Sequence, residues 1–190
     1  YAPRVGVTYV KDAFNAKLLY GRAFRIPLPW QQYTAFLETA DRGISLKPET
    51  SNTIELELGY KLNSYISTKL NLFQIDIDDP IVFTGDGAQY ENFGQIRSSG
   101  IEAEVVAKFE KLGGFFNFSY VKAGKNTSTT FVTTNQENFI SSPPVKFNIG
   151  TYASINKLKI APSFTYLSER YGKDVNKTET ISYESLGILN

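Results

Sequence analysis

From Thr53 to Leu62 the chain alternates without a break. Ile54, Leu56, Leu58, Tyr60 and Leu62 are apolar, and Thr53, Glu55, Glu57, Gly59 and Lys61 between them are small, polar or charged. A period of two is a strand with one apolar and one wet face; a helix would scatter these residues around its circumference. Pro48, in Lys47-Pro48-Glu49, has no N–H for a ladder and favours an extended residue before it. Regular pairing is therefore expected to begin just after Pro48.

The same alternation recurs along the chain. Val5, Val7 and Tyr9 form a first strand, and Phe14, Ala16, Leu18 and Tyr20 a second that ends near Phe24. Residues 26–48 read as a long loop with Pro27, Pro29 and scattered aromatics. The organising strand turns at Leu62-Asn63-Ser64 into a fourth, with Ile66, Leu70 and Leu72 on one side and Ser67, Lys69 and Asn71 on the other. Phe73, Ile75 and Ile77 have the opposite parity, which implies a bulge near Leu72-Phe73 or exit from a bilayer. Thr84-Gly85-Asp86-Gly87 reads as a turn. Ile101 to Phe109, Phe116 to Tyr120, Val145 to Ile155 and Leu158 to Tyr166 give strands five to eight, and a ninth ends in Leu186 and Ile188.

The connections near residues 11, 63, 111 and 156 are tight, and those at 26–48, 125–144 and 172–179 are longer, with 85–88 an exception. Tight and long connections alternating along an up-and-down meander are the mark of an outer-membrane barrel. Opposed residues in a hairpin share a face, so loop length must match the parity of the two apolar sets. Three residues at Leu62-Asn63-Ser64, four at Glu110 to Gly113 and two at Asn156-Lys157 satisfy that condition. The first of these turns sets Glu57 opposite Lys69.

Composition narrows the function. A formal net charge of +1 gives no bulk field to recruit nucleic acid. Cysteine and histidine are absent, which removes thiolate chemistry, the commonest general base and the commonest transition-metal ligand. Asp76, Asp78 and Asp79, with Asp86 nearby, are the one carboxylate cluster; they lack calcium-loop spacing and read as a solvated strand end before Pro80. Gly85-Asp86-Gly87 lacks the lysine and helix of a phosphate loop. No enzyme, cofactor or metal site is expected, although a lysine or carboxylate base stays open. The chain has no methionine, no apolar h-region in residues 1–25 and no apolar run of 18 residues; a mature or excised fragment explains all three. A transmembrane β-barrel is compatible with this, since only alternate residues need be apolar.

Leu46-Lys47-Pro48-Glu49-Thr50, followed by Asn52-Thr53 and Glu55-Leu56-Glu57-Leu58-Gly59-Tyr60-Lys61, resembles the barrel signature of TonB-dependent outer-membrane receptors. Leu19-Tyr20-Gly21-Arg22-Ala23-Phe24-Arg25-Ile26-Pro27 is similar to a preceding piece of that family. Tyr90-Glu91-Asn92-Phe93-Gly94 with Ser99-Gly100-Ile101-Glu102-Ala103-Glu104 is similar to a following one. The three together span about half the chain, and none identifies a ligand. The resemblance implies an all-β fold: an antiparallel up-and-down transmembrane β-barrel, with residues 1–190 as about nine late strands of a larger barrel of the 22-stranded type. It implies a plug domain and a TonB box that are absent from this chain, and energised uptake of a ferric siderophore, cobalamin or another bulky nutrient across the bacterial outer membrane. The implied partners are outer-membrane lipid, the missing plug and remaining strands, TonB through that plug, and the nutrient ligand.

The faces are then assigned. A soluble barrel turns its apolar face inward and a membrane barrel turns it to lipid. The fourth strand, read from Tyr65 to about Phe83, would extend roughly 60 Å at ~3.3 Å per residue, far more than a bilayer needs. With the resemblance, this puts Leu56, Leu58, Leu70, Val105 and Phe118 toward lipid and Glu55, Glu57, Lys69, Glu102 and Glu104 toward the lumen. Tyr9, Phe14, Tyr20, Tyr60, Tyr65, Phe109 and Phe115 fit interfacial girdles. Trp30, Tyr33 and Phe36 in the external loop, with Arg22 and Arg25 nearby, are the candidate ligand contacts, as aromatic anchors and as guanidinium partners for an anionic chelate. An ungated porin shares the strand pattern but not the signature. A soluble β-barrel binding module would invert the faces.

Overall fold

The computed structural model describes the chain except residues 39–44, 84–89, 125–126, 129–130, 134–137 and 174–179, and describes only the backbone at 34–38 and 173. β1 (Arg4–Lys11) and β2 (Phe14–Arg25) form the first hairpin. Helix α1 (Pro29–Glu38) then leads to β3 (Glu49–Lys61) and β4 (Ile66–Asp78). A small hairpin of β5 (Ile81–Phe83) and β6 (Tyr90–Asn92) precedes β7 (Gln95–Lys108) and β8 (Leu112–Ala123). β9 (Val145–Ile155), β10 (Leu158–Ile160), β11 (Ser163–Leu167), β12 (Arg170–Lys173), β13 (Thr180–Tyr183) and β14 (Leu186–Leu189) complete the chain. Among the described residues no helix is long and apolar enough to cross a membrane.

The main sheet has ten strands in the order β1-β2-β3-β4-β7-β8-β9-β11-β14, with β10 also on β9. β10 and β11 share one register against β9, so they are a single pass interrupted at Pro162, which has no N–H to give. The sheet therefore makes the nine antiparallel passes that the alternation predicts. β3 starts at Glu49, directly after Pro48.

The tight turns lie at one end of this meander. Asp12-Ala13 and Asn156-Lys157 are two-residue links. Their first residues sit at φ 51° and 56°, a left-handed conformation that Asp and Asn tolerate better than most. Asn63-Ser64-Tyr65 is held by the Asn63 Oδ1, which accepts from the N–H groups of Tyr65 (2.8 Å) and Ile66 (2.9 Å). Glu110-Lys111 closes the third, since the Phe109 N–H donates to the Leu112 carbonyl. Two expected loops are thereby corrected. The Glu110 turn is shorter than four residues because Leu112 already pairs. The β3–β4 turn begins one residue later because Leu62 pairs with Ile66. Parity is kept but the partners change: Glu57 faces Asn71 and Lys69 faces Gly59, not each other.

Two further expectations change at the other end. β4 stops at Asp78, so the strand is thirteen residues and not a continuous run to Phe83. Its pairing with β3 and β7 passes through Leu72-Phe73 without a slip, so there is no bulge. What changes there is the chemistry of each face. Leu70 and Leu72 are followed on their face by Gln74, Asp76 and Asp78, while Phe73, Ile75 and Ile77 lie behind. The connection from β4 to β7 is also long, residues 79–94, and it ceases to be an exception. The Thr84-Gly85-Asp86-Gly87 turn lies outside the described residues.

Register carries the sidedness across the sheet. Val7, Leu18, Leu56, Leu72, Ile101, Tyr120 and Val145 form one row. Tyr9, Ala16, Leu58, Leu70, Ala103, Phe118, Phe147 and Tyr166 form the next. On β3 this apolar stretch, Ile54 to Leu62, covers about 27 Å at ~3.3 Å per residue. At the usual barrel tilt of about 40° that is a band roughly 20 Å tall. The buried apolar side chains among the described residues are Leu46, Ile81, Ala123 and Val132, all near the long connections. The sheet has no core of its own.

Candidate functional site

Two regions carry the polar and aromatic side chains that function requires: the wet face of the sheet, and the end bearing the long connections.

On the wet face, Lys17, Glu57, Asn71, Glu102, Ser119 and Lys146 follow one another across successive strands. The adjoining row holds Lys69 and Glu104, whose Nζ and Oε1 are 3.6 Å apart. Glu57, Lys69, Asn71, Glu102, Glu104 and Lys146 line a hollow of about 420 Å³. The Asn71 Oδ1 is shielded there without a hydrogen-bond partner. Glu55 lies on the same face beside Leu19 and Phe73. Leu56, Leu58, Leu70, Val105 and Phe118 all lie on the opposite face. Of the aromatics expected in a girdle, Phe115 departs: it pairs with Gly150 and stands on the wet face, its ring occupying the space a Cβ of Gly150 would need. The wall is made of acids, lysines and amides. It is a surface for many exchangeable hydrogen bonds.

At the long-connection end, residues 26–48 are not a plain loop. Pro29 opens α1, where its missing N–H costs nothing, and the Leu28 N–H donates to the Gln31 Oε1 at 2.9 Å. Trp30 meets Tyr90 edge to face, with ring centroids 5.5 Å apart, and Tyr33 is exposed. Phe36 is on α1, its side chain outside the described residues. The two candidate arginines part company. Arg22 pairs across the sheet with Asn52, on the face of Tyr20 and Leu18. Arg25 is on the opposite face, where its Nη2 is 2.7 Å from the Glu49 Oε2.

The same Glu49 oxygen accepts the Ile81 N–H at 3.1 Å, and the Arg25 Nη2 also donates to the Ile81 carbonyl at 3.4 Å. One step along, the Asn92 Oδ1 accepts the Lys47 N–H at 2.6 Å. The Asn92 Nδ2 donates to the carbonyls of Lys47 (3.0 Å) and Asp79 (2.8 Å). Leu46 and Ile81 are buried together under Tyr90. Three sequence stretches far apart in the chain thus meet at one point. Glu49, Asn92 and Ile81 are not legible as a site in the sequence, because their partners lie 13 to 56 residues away. Two carboxylates of the aspartate cluster, expected as a solvated strand end, are engaged: Asp76 with Arg97, and Asp78 with the Gln95 Nε2 at 2.6 Å; Asp86 lies outside the described residues.

Comparison with known proteins extends this geometry. A profile of the family described as TonB dependent receptor-like, beta-barrel matches residues 1–189. The siderophore receptor PirA from Acinetobacter baumannii superposes with a TM-score of 0.76 at 16% identity, over 99% of this chain and 33% of that one. The FrpB iron transporter from Neisseria meningitidis (F3-3 variant) gives 0.72 at 18% identity, over 99% and 31%. The copper transporter OprC gives 0.72 at 15% identity, over 99% and 30%. The chain spans about a third of the length of these structures. No curated protein matches. The family is one of outer-membrane transport receptors, not enzymes. With its register, alternating connections and residues 1–189 all in agreement, the chain belongs to the TonB-dependent receptor β-barrel family.

Proposed function

We propose that residues 1–190 are part of the barrel domain of a bacterial outer-membrane receptor for energised uptake of a scarce, bulky nutrient, a ferric siderophore in the first instance. The plug domain, the TonB box and the remaining strands belong to further sequence. The observation that carries this reading is the apolar band that runs across eight passes, from β1 to β11, backed by a polar wall. A band with that height and no core behind it suits lipid on one side and a hydrogen-bonding plug on the other. Leu56, Leu58, Leu70, Val105 and Phe118 are then lipid-facing, and Glu55, Glu57, Lys69, Glu102 and Glu104 lumenal.

Ligand contact is assigned to α1. Trp30 and Tyr33, and Phe36 on the same helix, offer rigid aromatic area at the external end, and Arg25 stands at its base. Arg22 is left out because it shares the face of Leu18. The test uses the intact receptor in cells lacking the chromosomal copy. Radioactive iron presented on a panel of siderophores should accumulate only with a functional TonB complex. Deletion of residues 28–40 should abolish that accumulation while surface expression persists. Undiminished TonB-dependent accumulation in the deletion removes α1 from the ligand site, and accumulation that ignores TonB removes the energised mechanism.

A further inference from the structure

We infer that the stretches around Pro48 and Asn92, which carry the family signature, form a clasp that joins the two adjacent long connections into one unit and thereby positions α1. The inference rests on the proposal that α1 is the ligand-bearing element.

Asn92 is the centre of the clasp. Its side-chain amide imitates a strand neighbour: the Oδ1 takes the Lys47 N–H at 2.6 Å and the Nδ2 returns to the Lys47 carbonyl at 3.0 Å. The same nitrogen reaches the Asp79 carbonyl at 2.8 Å, where the chain leaves β4 at φ 51°. One side chain therefore ties the approach to β3, the exit from β4 and strand β6. Only an amide does this, because it presents an acceptor and two donors in one plane. A carboxylate keeps the acceptor and loses both donors.

Glu49 is the second tie. Its carboxylate holds the Ile81 N–H at 3.1 Å and the Arg25 guanidinium at 2.7 Å, linking the end of β2 and the start of β3 to β5. Leu46 and Ile81 close over the polar bonds with Tyr90, which screens them from water. Tyr90 then passes the constraint on, since its ring stands 5.5 Å from Trp30 and 5.4 Å from Phe83. A second brace runs from the Gln32 Nε2 to the Ser45 Oγ at 2.8 Å. The β5–β6 hairpin and α1 consequently open together, while the strands below them do not take part. Asn92 and Glu49 act as positioning residues, setting where Trp30 stands.

Hydrogen exchange by mass spectrometry on the full-length receptor in detergent, with no nutrient present, tests this. Asn92→Ala should accelerate exchange at Lys47, in residues 90–93 and in residues 31–33 of α1 together, by about tenfold, as expected from losing hydrogen bonds of ordinary net strength. Amides at 55–59 and 101–105 should keep their wild-type rates. Asn92→Asp should accelerate the same three segments by a smaller factor, and it carries the test if the alanine variant does not assemble. Acceleration confined to 79–94 with α1 unchanged, or no acceleration in either variant, overturns the inference. Because the readout needs no transport, a receptor that turns out not to import siderophores leaves this result standing, and the converse also holds.

Discussion

Single residues decide which way the sheet presents itself. Leu58 and Glu57 are neighbours on opposite faces, so they make a paired test. Leu58→Arg should cost about 2–4 kcal/mol of barrel stability if it meets the middle of a bilayer, and Glu57→Gln should cost little. Nitroxides at the two positions of the intact receptor should differ, with 58 open to oxygen and 57 to a polar relaxer; equal accessibility counts against the lipid assignment. Glycines set a second constraint, because aromatic rings on the paired strand lie over them. A Cβ on Gly100 would come within 2.5 Å of both the Phe73 ring and the Tyr120 carbonyl oxygen. The ring can turn but the carbonyl belongs to the β7–β8 ladder. Gly100→Ala should therefore destabilise the intact barrel by about 1–3 kcal/mol, and adding Phe73→Ala should recover only part of the loss. Urea titration followed by heat-modifiable gel migration measures both; full recovery in the double variant would mean that the ring alone was the obstacle. The same residue scale explains what the sequence concealed. Alternation reports the face of Leu56 and Leu58 directly. It says nothing of Asn92, whose importance comes from Lys47 and Asp79 being brought to it by the fold.

At the level of elements, strands were legible and their ends were not. Parity survives an error in the position of a turn whose length is right, which is why the faces of β3 and β4 follow from the sequence while Glu57 and Lys69 do not meet. Moving a turn by one residue on each strand shifts every partner by two and keeps every face. The helix was legible by a different period that the prolines obscured. Trp30, Tyr33, Phe36 and Leu37 recur at helical spacing, and Pro29 is a helix-opening residue as well as a loop marker. The β5–β6 hairpin gave weaker signs, since strands of three residues are too short to show alternation. Turn chemistry supports an element-scale prediction. Asn156 begins a two-residue link in the left-handed region at φ 56°. Asn156→Gly should leave the refolding yield of the receptor unchanged, whereas Asn156→Val should cost about 1–2 kcal/mol. Equal stabilities of the two variants would show that this turn does not hold the β9–β10 register.

For the whole molecule, the widest consequence follows from the main sheet, which among the described residues has no core of its own. A soluble domain of this size hides a large share of its chain from water, yet among the described residues the buried apolar side chains are confined to the long-connection end. The apolar face must be covered by something other than this sheet. The edges need the same provision. β1 and β14 stand at opposite ends of the strand order and do not pair with each other. Each leaves a row of backbone N–H and C=O groups, and in hydrocarbon each unsatisfied group costs several kcal/mol. In the proposed membrane setting neither edge could stay open, which calls for further strands on both sides. Residues 1–190 expressed alone and refolded in detergent should therefore give no heat-modifiable monomer and no defined bilayer conductance. The same residues within the full-length receptor should give a folded species that resists unfolding in the gel. The comparison matters because a sheet of nine passes has one other way to satisfy its edges, which is to curl until they meet, as small barrels do. Nine is an odd number, and joining β1 to β14 would set two strands of the same direction side by side, against the antiparallel pairing of every other neighbour in the main sheet. A compact, conducting monomer of residues 1–190 would show that this closure is nonetheless accessible, and that the polar wall around Glu57 and Lys146 lines a pore by itself.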